Sequence, residues 1–354
     1  MCTVDSKARP WQMAANDMSA DSLSVRGVAP PLDERRRRFA RYAVWLLGFT
    51  LLVVLFGAVV RITGSGAGCG KHWPTCQGEI VHLPKRVETL IELSHRLSTG
   101  LNALLVFALT FRATRIFDRK HPARRAFKFA SAMMVVESLV GAALVLLALV
   151  GTDASMRRAI VMPLHLVATS GLCAALGLGV FYSLPPAEAP PAALSVRRGV
   201  WLAAAAVLVV SASGALTALG DTVYPVQSAP LAARLLHDQG SGAHFLERLR
   251  VIHPLLAIAG AVVVLSSSAR ILGDRVSEFA RTLARAAICA CLAQVGLGGL
   301  NIWLSAPGWM QVVHLLAANV VWLVLVLLAA ELGQPRAVSL GVGRPRKLAN
   351  LRAS

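Results

Sequence analysis

Charge is scarce in this sequence. Only 15% of its 354 residues are Asp, Glu, Lys or Arg, against 56% hydrophobic, and the mean hydropathy is +0.61. That balance excludes an ordinary soluble domain, in which about a quarter of residues are charged. Acidic residues are scarcest: 18 Asp and Glu stand against 36 Lys and Arg, a net charge of +18. A cleavable signal pattern is also missing, because the first apolar run comes too late and is too long. Paired Gly/Pro interruptions at mid-membrane depth are absent too, which argues against a transporter built on broken helices.

What the chain does have is long apolar runs. Runs of about 20 residues cross a hydrocarbon core of roughly 30 Å. Eight qualify, at about 39–62, 88–113, 127–150, 159–183, 198–219, 246–272, 279–303 and 308–332. Backbone in lipid must satisfy its own hydrogen bonds. The expected fold is therefore an all-α polytopic membrane protein with eight transmembrane helices and the lipid bilayer as its solvent. An even count puts both termini on one side. With the tails inside, the inner segments hold 26 of the 36 Lys and Arg, led by "DERRRRFARY" at 33–42. That is the positive-inside bias. The positive charge thus reports orientation, with cytoplasmic termini, and no nucleic-acid partner. The expected location is a bacterial cytoplasmic membrane. A mitochondrial transit peptide is the alternative reading of the leader, and Asp5, Asp17 and Asp21 count against it.

The chain also repeats itself. "VESLVGAALVLLALVGTDASMRRAIVMPLHLVATS" parallels "CLAQVGLGGLNIWLSAPGWMQVVHLLAANVVW", and "IELSHRLSTGLNALLVFAL" parallels "RLRVIHPLLAIAGAVVVL". Two pseudo-symmetric four-helix bundles are expected, at 39–183 and 198–332. A flexible leader (1–38), a Pro/Ala-rich linker (184–197) and a basic tail (333–354) complete the division.

Five of the nine histidines, His72, His82, His121, His237 and His244, fall outside the apolar runs. The others, His95, His165, His253 and His314, each lie near the outer start of an even-numbered span, roughly 10 Å down at 1.5 Å per residue. A single intramembrane His is often just a polar group satisfied by a neighbouring helix. Four at one depth, two per bundle, suit the axial positions of haem iron. Zinc takes three or four protein ligands, and no Cys, Asp or third His accompanies either pair. Cys173, Cys289 and Cys291 read as small core residues. A proton relay does not explain the pairing.

The halves differ in two ways. Glu92 stands three residues before His95 and shares its helix face, whereas Arg250 holds that place before His253. Ionisable groups at membrane depth default to function; the bland alternative is a helix-start carboxylate on the N-terminal dipole. The first outer loop, "RITGSGAGCGKHWPTCQGEIVHLP", carries Cys69 and Cys76, seven apart, as a structural disulfide or a reversible dithiol. The matching loop of the second half has no Cys.

The stretches "GAVVRITGSGAGCGKHWPTC", "IELSHR", "VMPLHL", "RVIHP" and "QVVHLLAAN" together resemble the haem A synthase family, which converts haem O to haem A for cytochrome oxidase. The resemblance implies two bis-His haem sites. His95 and His165 would hold haem O as substrate, and His253 and His314 a resident haem b. It also implies catalytic assistance from Glu92, Cys69 and Cys76. Haem O synthase and cytochrome oxidase assembly factors are the expected protein partners, and a homo-oligomer is compatible. Some members carry a second Cys pair that this chain lacks. His253 is followed by Pro254 where His95 is followed by Arg96, which weakens any Arg contact to the second haem. The rival reading is a dihaem cytochrome b relaying electrons between quinol and a partner. It explains the histidines equally well but leaves Glu92 and the cysteine loop without a purpose.

Overall fold

The computed structural model describes residues 34–80, 83–184, 192–226 and 229–334. The leader up to residue 33, the basic tail beyond 334 and the linker stretch 185–191 lie outside the described residues. Eight helices among the described residues are long and apolar enough to cross a membrane. They are α1 (Glu34–Ile62), α2 (Val87–Ile116), α3 (Pro122–Leu146), α4 (Met156–Ser183), α5 (Leu194–Val223), the run Phe245–Leu272, α9 (Glu278–Trp303) and α10 (Gly308–Leu332). A short amphipathic helix, α6 (Leu231–Asp238), precedes that run. The run itself opens as α7 (Phe245–Arg248) and passes through a 3-10 turn into α8 (Ile252–Leu272).

Local chemistry sets the ends. Pro122 opens α3, where its missing N–H costs nothing. Ser155 and Ser277 cap α4 and α9 by accepting the Arg158 and Ala280 N–H groups. Several helix ends differ from the expected runs, those of α3 and α5 among them, and two have a visible local feature. α1 begins at Glu34 rather than 39, because an Arg38–Glu34 pair at 2.9 Å carries the helix beyond the apolar run. α3 stops at Leu146 rather than 150, because Ala148 takes a left-handed conformation (φ 55°) and turns the chain.

The helices pack as two rings. α1, α2, α3 and α4 contact one another in sequence, and α4 returns to α1; α5, α8, α9 and α10 do the same. α4 and α10 lie where the rings meet. In the first ring Phe39 sits edge-on to Phe117 and Phe127, at 5.3 and 5.2 Å, away from the cysteine loop. Among the described residues, Trp322 and Arg61 make polar contacts that join the rings. The Trp322 indole N–H donates to the Ser170 carbonyl at 2.8 Å, and Arg61 donates to the Ala218 carbonyl and to Gln311. In a low-dielectric interior such contacts hold the helices in one register.

Candidate functional site

Each of the four membrane histidines faces a glycine on the preceding helix of its ring. A Cβ placed on Gly57 would lie 3.2 Å from the His95 ring, and one on Gly141 would lie 3.6 Å from His165. In the second ring the same test gives 3.0 Å between Gly214 and His253 and 3.1 Å between Gly298 and His314. The absent side chains let each imidazole lie against the neighbouring backbone. The structure brings His253 and His314 together, with ring centres 6.5 Å apart and planes nearly perpendicular at 87°. Metal–imidazole bonds of roughly 2 Å on either side of one ion place ring centres about 6 Å apart, so this spacing fits a metal held between them. His95 and His165 lie close enough to interact electrostatically. Buried Nδ1 atoms of His95, His165 and His314 have no hydrogen-bond partner.

The surroundings of the two pairs are not the same. Phe56 meets His95 edge-on at 5.5 Å, and Ser213, at the corresponding place, lies 3.0 Å from His253 Nδ1. Beside His165 stands Glu137, with Oε2 3.4 Å from Nδ1; beside His314 stands Gln294, with Nε2 3.1 Å from the ring Nε2. Glu137 and Gln294 each come four residues before the glycine their histidine faces. Sequence reasoning passed over Glu137, although a carboxylate inside "MVVESLVG" was itself a signal at membrane depth. Three ligand atoms from His, Cys, Asp or Glu gather within 4.8 Å at His237, Asp238 and Glu247, away from both histidine pairs. Among the described residues neither pair has the third close ligand that zinc would use.

Glu92 is 3% exposed and lies under the cysteine loop. Its Oε2 accepts the Cys69 N–H at 2.7 Å, and its Oε1 accepts from Arg96 Nε at 3.1 Å. Arg96 in turn donates to the carbonyls of His72 and Thr75. α2 begins at Val87, so Glu92 lies past the first turn, and its bonds run across to the loop rather than to its own helix end. The second ring inverts the charges. There Arg250 bonds Asp221 and Asp238, each at 2.9 Å, and reaches the Gly220 and Tyr224 carbonyls. In the first ring the Glu92–Arg96 pair lies within α2 and grips the loop through backbone groups, whereas in the second the ion pairs themselves run from Arg250 to neighbouring segments, so only the first ring has a carboxylate at this place on the histidine helix.

Cys69 and Cys76 form a disulfide with Cα atoms 4.5 Å apart. Both are buried, and the Gln77 N–H donates to the Cys69 carbonyl at 3.0 Å. Gly68 has no room for a side chain, since a Cβ would lie 2.6 Å from the backbone of Glu88. The loop is thus pressed onto the start of α2. Replacing both cysteines by Ser should lower stability by about 2.5 kcal/mol, the chain-entropy value for so short a loop. Thiol labelling of the native protein should find Cys69 and Cys76 unreactive until a reductant is added; free labelling without reductant would contradict the bond.

Fold and site together define a multi-pass helical membrane protein carrying two histidine pairs, one in each ring. Within that class the chain belongs to the COX15-CtaA family, described as cytochrome oxidase assembly protein, whose sequence profile matches residues 40–326. A protoheme IX farnesyltransferase of Thermus thermophilus is 44% identical over 313 residues, covering 86% of this chain and 50% of that protein. Heme A synthases of Bacillus mycoides and Bacillus cereus are 39% and 38% identical over 110 residues, covering 31% of this chain and 35% of each relative. The chain spans about half the length of the Thermus relative it matches.

Proposed function

We propose that this protein is a haem A synthase, oxidising a methyl group of haem O to the formyl group of haem A in a bacterial cytoplasmic membrane. The observation that carries this is the opposed histidine pair of the second ring, 6.5 Å apart, together with the same histidine-on-glycine arrangement in the first. Family membership and the heme A synthase relatives support it. The farnesyltransferase name covers a protein about twice as long as the match, so it does not by itself assign farnesyl transfer to the shared half. It does point to the supply of farnesylated haem as a neighbouring activity, in keeping with haem O synthase as a partner.

In this reading His253 and His314 hold a resident haem b, and His95 and His165 hold haem O. Haem b, held by these two histidines, would supply one-electron redox chemistry when bound. The rest belongs to the chain. The four glycines leave room for each ring to turn its nitrogen into the bundle. Glu92, one turn from His95, is held by Arg96 and the Cys69 N–H. It is placed to stabilise positive charge, or to accept a proton, on the substrate side facing the loop. The disulfide keeps the loop on α2 and so keeps Glu92 covered from water.

Extraction of haem from protein produced together with haem O, followed by mass analysis, tests the activity. Haem A or its hydroxylated precursor alongside haem b is expected. Haem b alone would turn the reading toward an electron relay. The glycines give a second test. Gly214→Val and Gly298→Val place methyl groups against His253 and His314, an overpacking of about 1–3 kcal/mol, and should lower haem b content while the protein still inserts. Full haem b in both variants would contradict the assigned site.

A further inference from the structure

We propose that Glu137 is the positioning residue of the first histidine pair: its carboxylate accepts the Nδ1–H of His165 and so turns Nε2, as the free and more basic nitrogen, toward the substrate haem. The inference rests on the haem-binding reading above. It starts from an oddity of burial. Glu137 sits well inside α3 with a side chain 14% exposed, and a carboxylate at that depth is costly unless it is paired. The one ion-pair partner found for it among the described residues is His165, 3.4 Å from Oε2. Both facing atoms, Oε2 and Nδ1, are buried and lack a hydrogen bond at this distance. The other carboxylate oxygen is already anchored by the Thr169 hydroxyl, one turn beyond His165 on α4. A small approach of Oε2 toward Nδ1 completes the contact and satisfies both of these buried atoms.

The second ring shows what the carboxylate adds. Its counterpart Gln294 is a neutral amide resting on His314 Nε2. A carboxylate behind a metal-bound imidazole fixes the tautomer and raises the basicity of the ligand, which favours the ferric state. Gln294 does neither, being neutral and meeting His314 at Nε2 rather than at Nδ1. The two haem sites are therefore unequal, with the first held at the lower potential. Thr169 and Glu137 also tie α3 to α4, so a purely structural role is the competing account. That role would not move a redox potential selectively.

The test is a redox titration, followed by absorbance, of full-length protein carrying haem in both rings. Glu137→Gln should raise the midpoint of one haem by the equivalent of about tenfold in the ferrous-to-ferric ratio, about 59 mV for one electron. The component that moves should be the one missing from His165→Ala. Glu137→Asp, with the same charge on a shorter arm, should shift it less and in the same direction, and it stands in if the Gln variant does not accumulate. Unmoved midpoints with both haems bound would overturn the role of Glu137 and leave the haem sites standing. Two haem components persisting in His165→Ala would overturn the haem ligation and this proposal with it.

Discussion

Glu92→Gln is expected to stop haem A formation while leaving haem b in place. The variant should accumulate haem O or its alcohol, with an unchanged haem b spectrum. Loss of a charge-assisted contribution of about 3 kcal/mol slows a step by about 10²-fold. The structure sharpens the alternative that has to be beaten. Glu92 is not a helix-start carboxylate; it binds the Cys69 N–H and Arg96. Breaking a buried pair of this kind can itself cost about 3–5 kcal/mol. Arg96→Met supplies the control, because it cuts the same tether from the other end and also frees the His72 and Thr75 carbonyls. If Glu92 only anchors the loop, the Arg96 variant should lose at least as much haem A as Glu92→Gln. If the carboxylate takes part in the oxidation, Glu92→Gln should be the far more damaging of the two at equal protein level. Equal losses would return Glu92 to an anchoring role.

The parts of this molecule that could be read from sequence are those whose signal is local. Eight apolar runs announce eight spans because bilayer thickness fixes their length. Their ends were less legible, since the Arg38–Glu34 pair and the turn at Ala148 depend on single residues outside the hydropathy pattern. The histidines were legible because their depth can be counted along each helix. What they rest against was not. Gly57, Gly141, Gly214 and Gly298 look like any of the chain's 28 glycines until the neighbouring helix is in place. Glu92 was visible as an anomaly, but its partner at Cys69 lies 23 residues away across a loop. Gln294 could be paired with Glu137 only once Gly141 and Gly298 were known to face equivalent histidines.

Alanine at His253 or His314 should remove haem b, and alanine at His95 or His165 should not. The second pair is the better-formed site for a permanent occupant. Its rings already stand 6.5 Å apart, His253 is steadied by Ser213, and among the described residues neither imidazole forms an ion pair. A bis-imidazole haem in a neutral pocket is saturated and suited to passing electrons. The first pair has Glu137 against His165 and Glu92 one turn from His95, two carboxylates near what is, in the proposed reading, the site that admits and releases its ligand. His95→Ala and His165→Ala should therefore keep the haem b spectrum and give no detectable haem A. His253→Ala and His314→Ala should lower haem b at least about tenfold, the scale on which weakening a metal's ligand set cuts affinity, and should lose haem A as a consequence. Haem b lost from His95→Ala but retained in His253→Ala would exchange the two assignments. The two carboxylates would then have to be explained as neighbours of the resident haem, where a saturated iron gives them no substrate to act on.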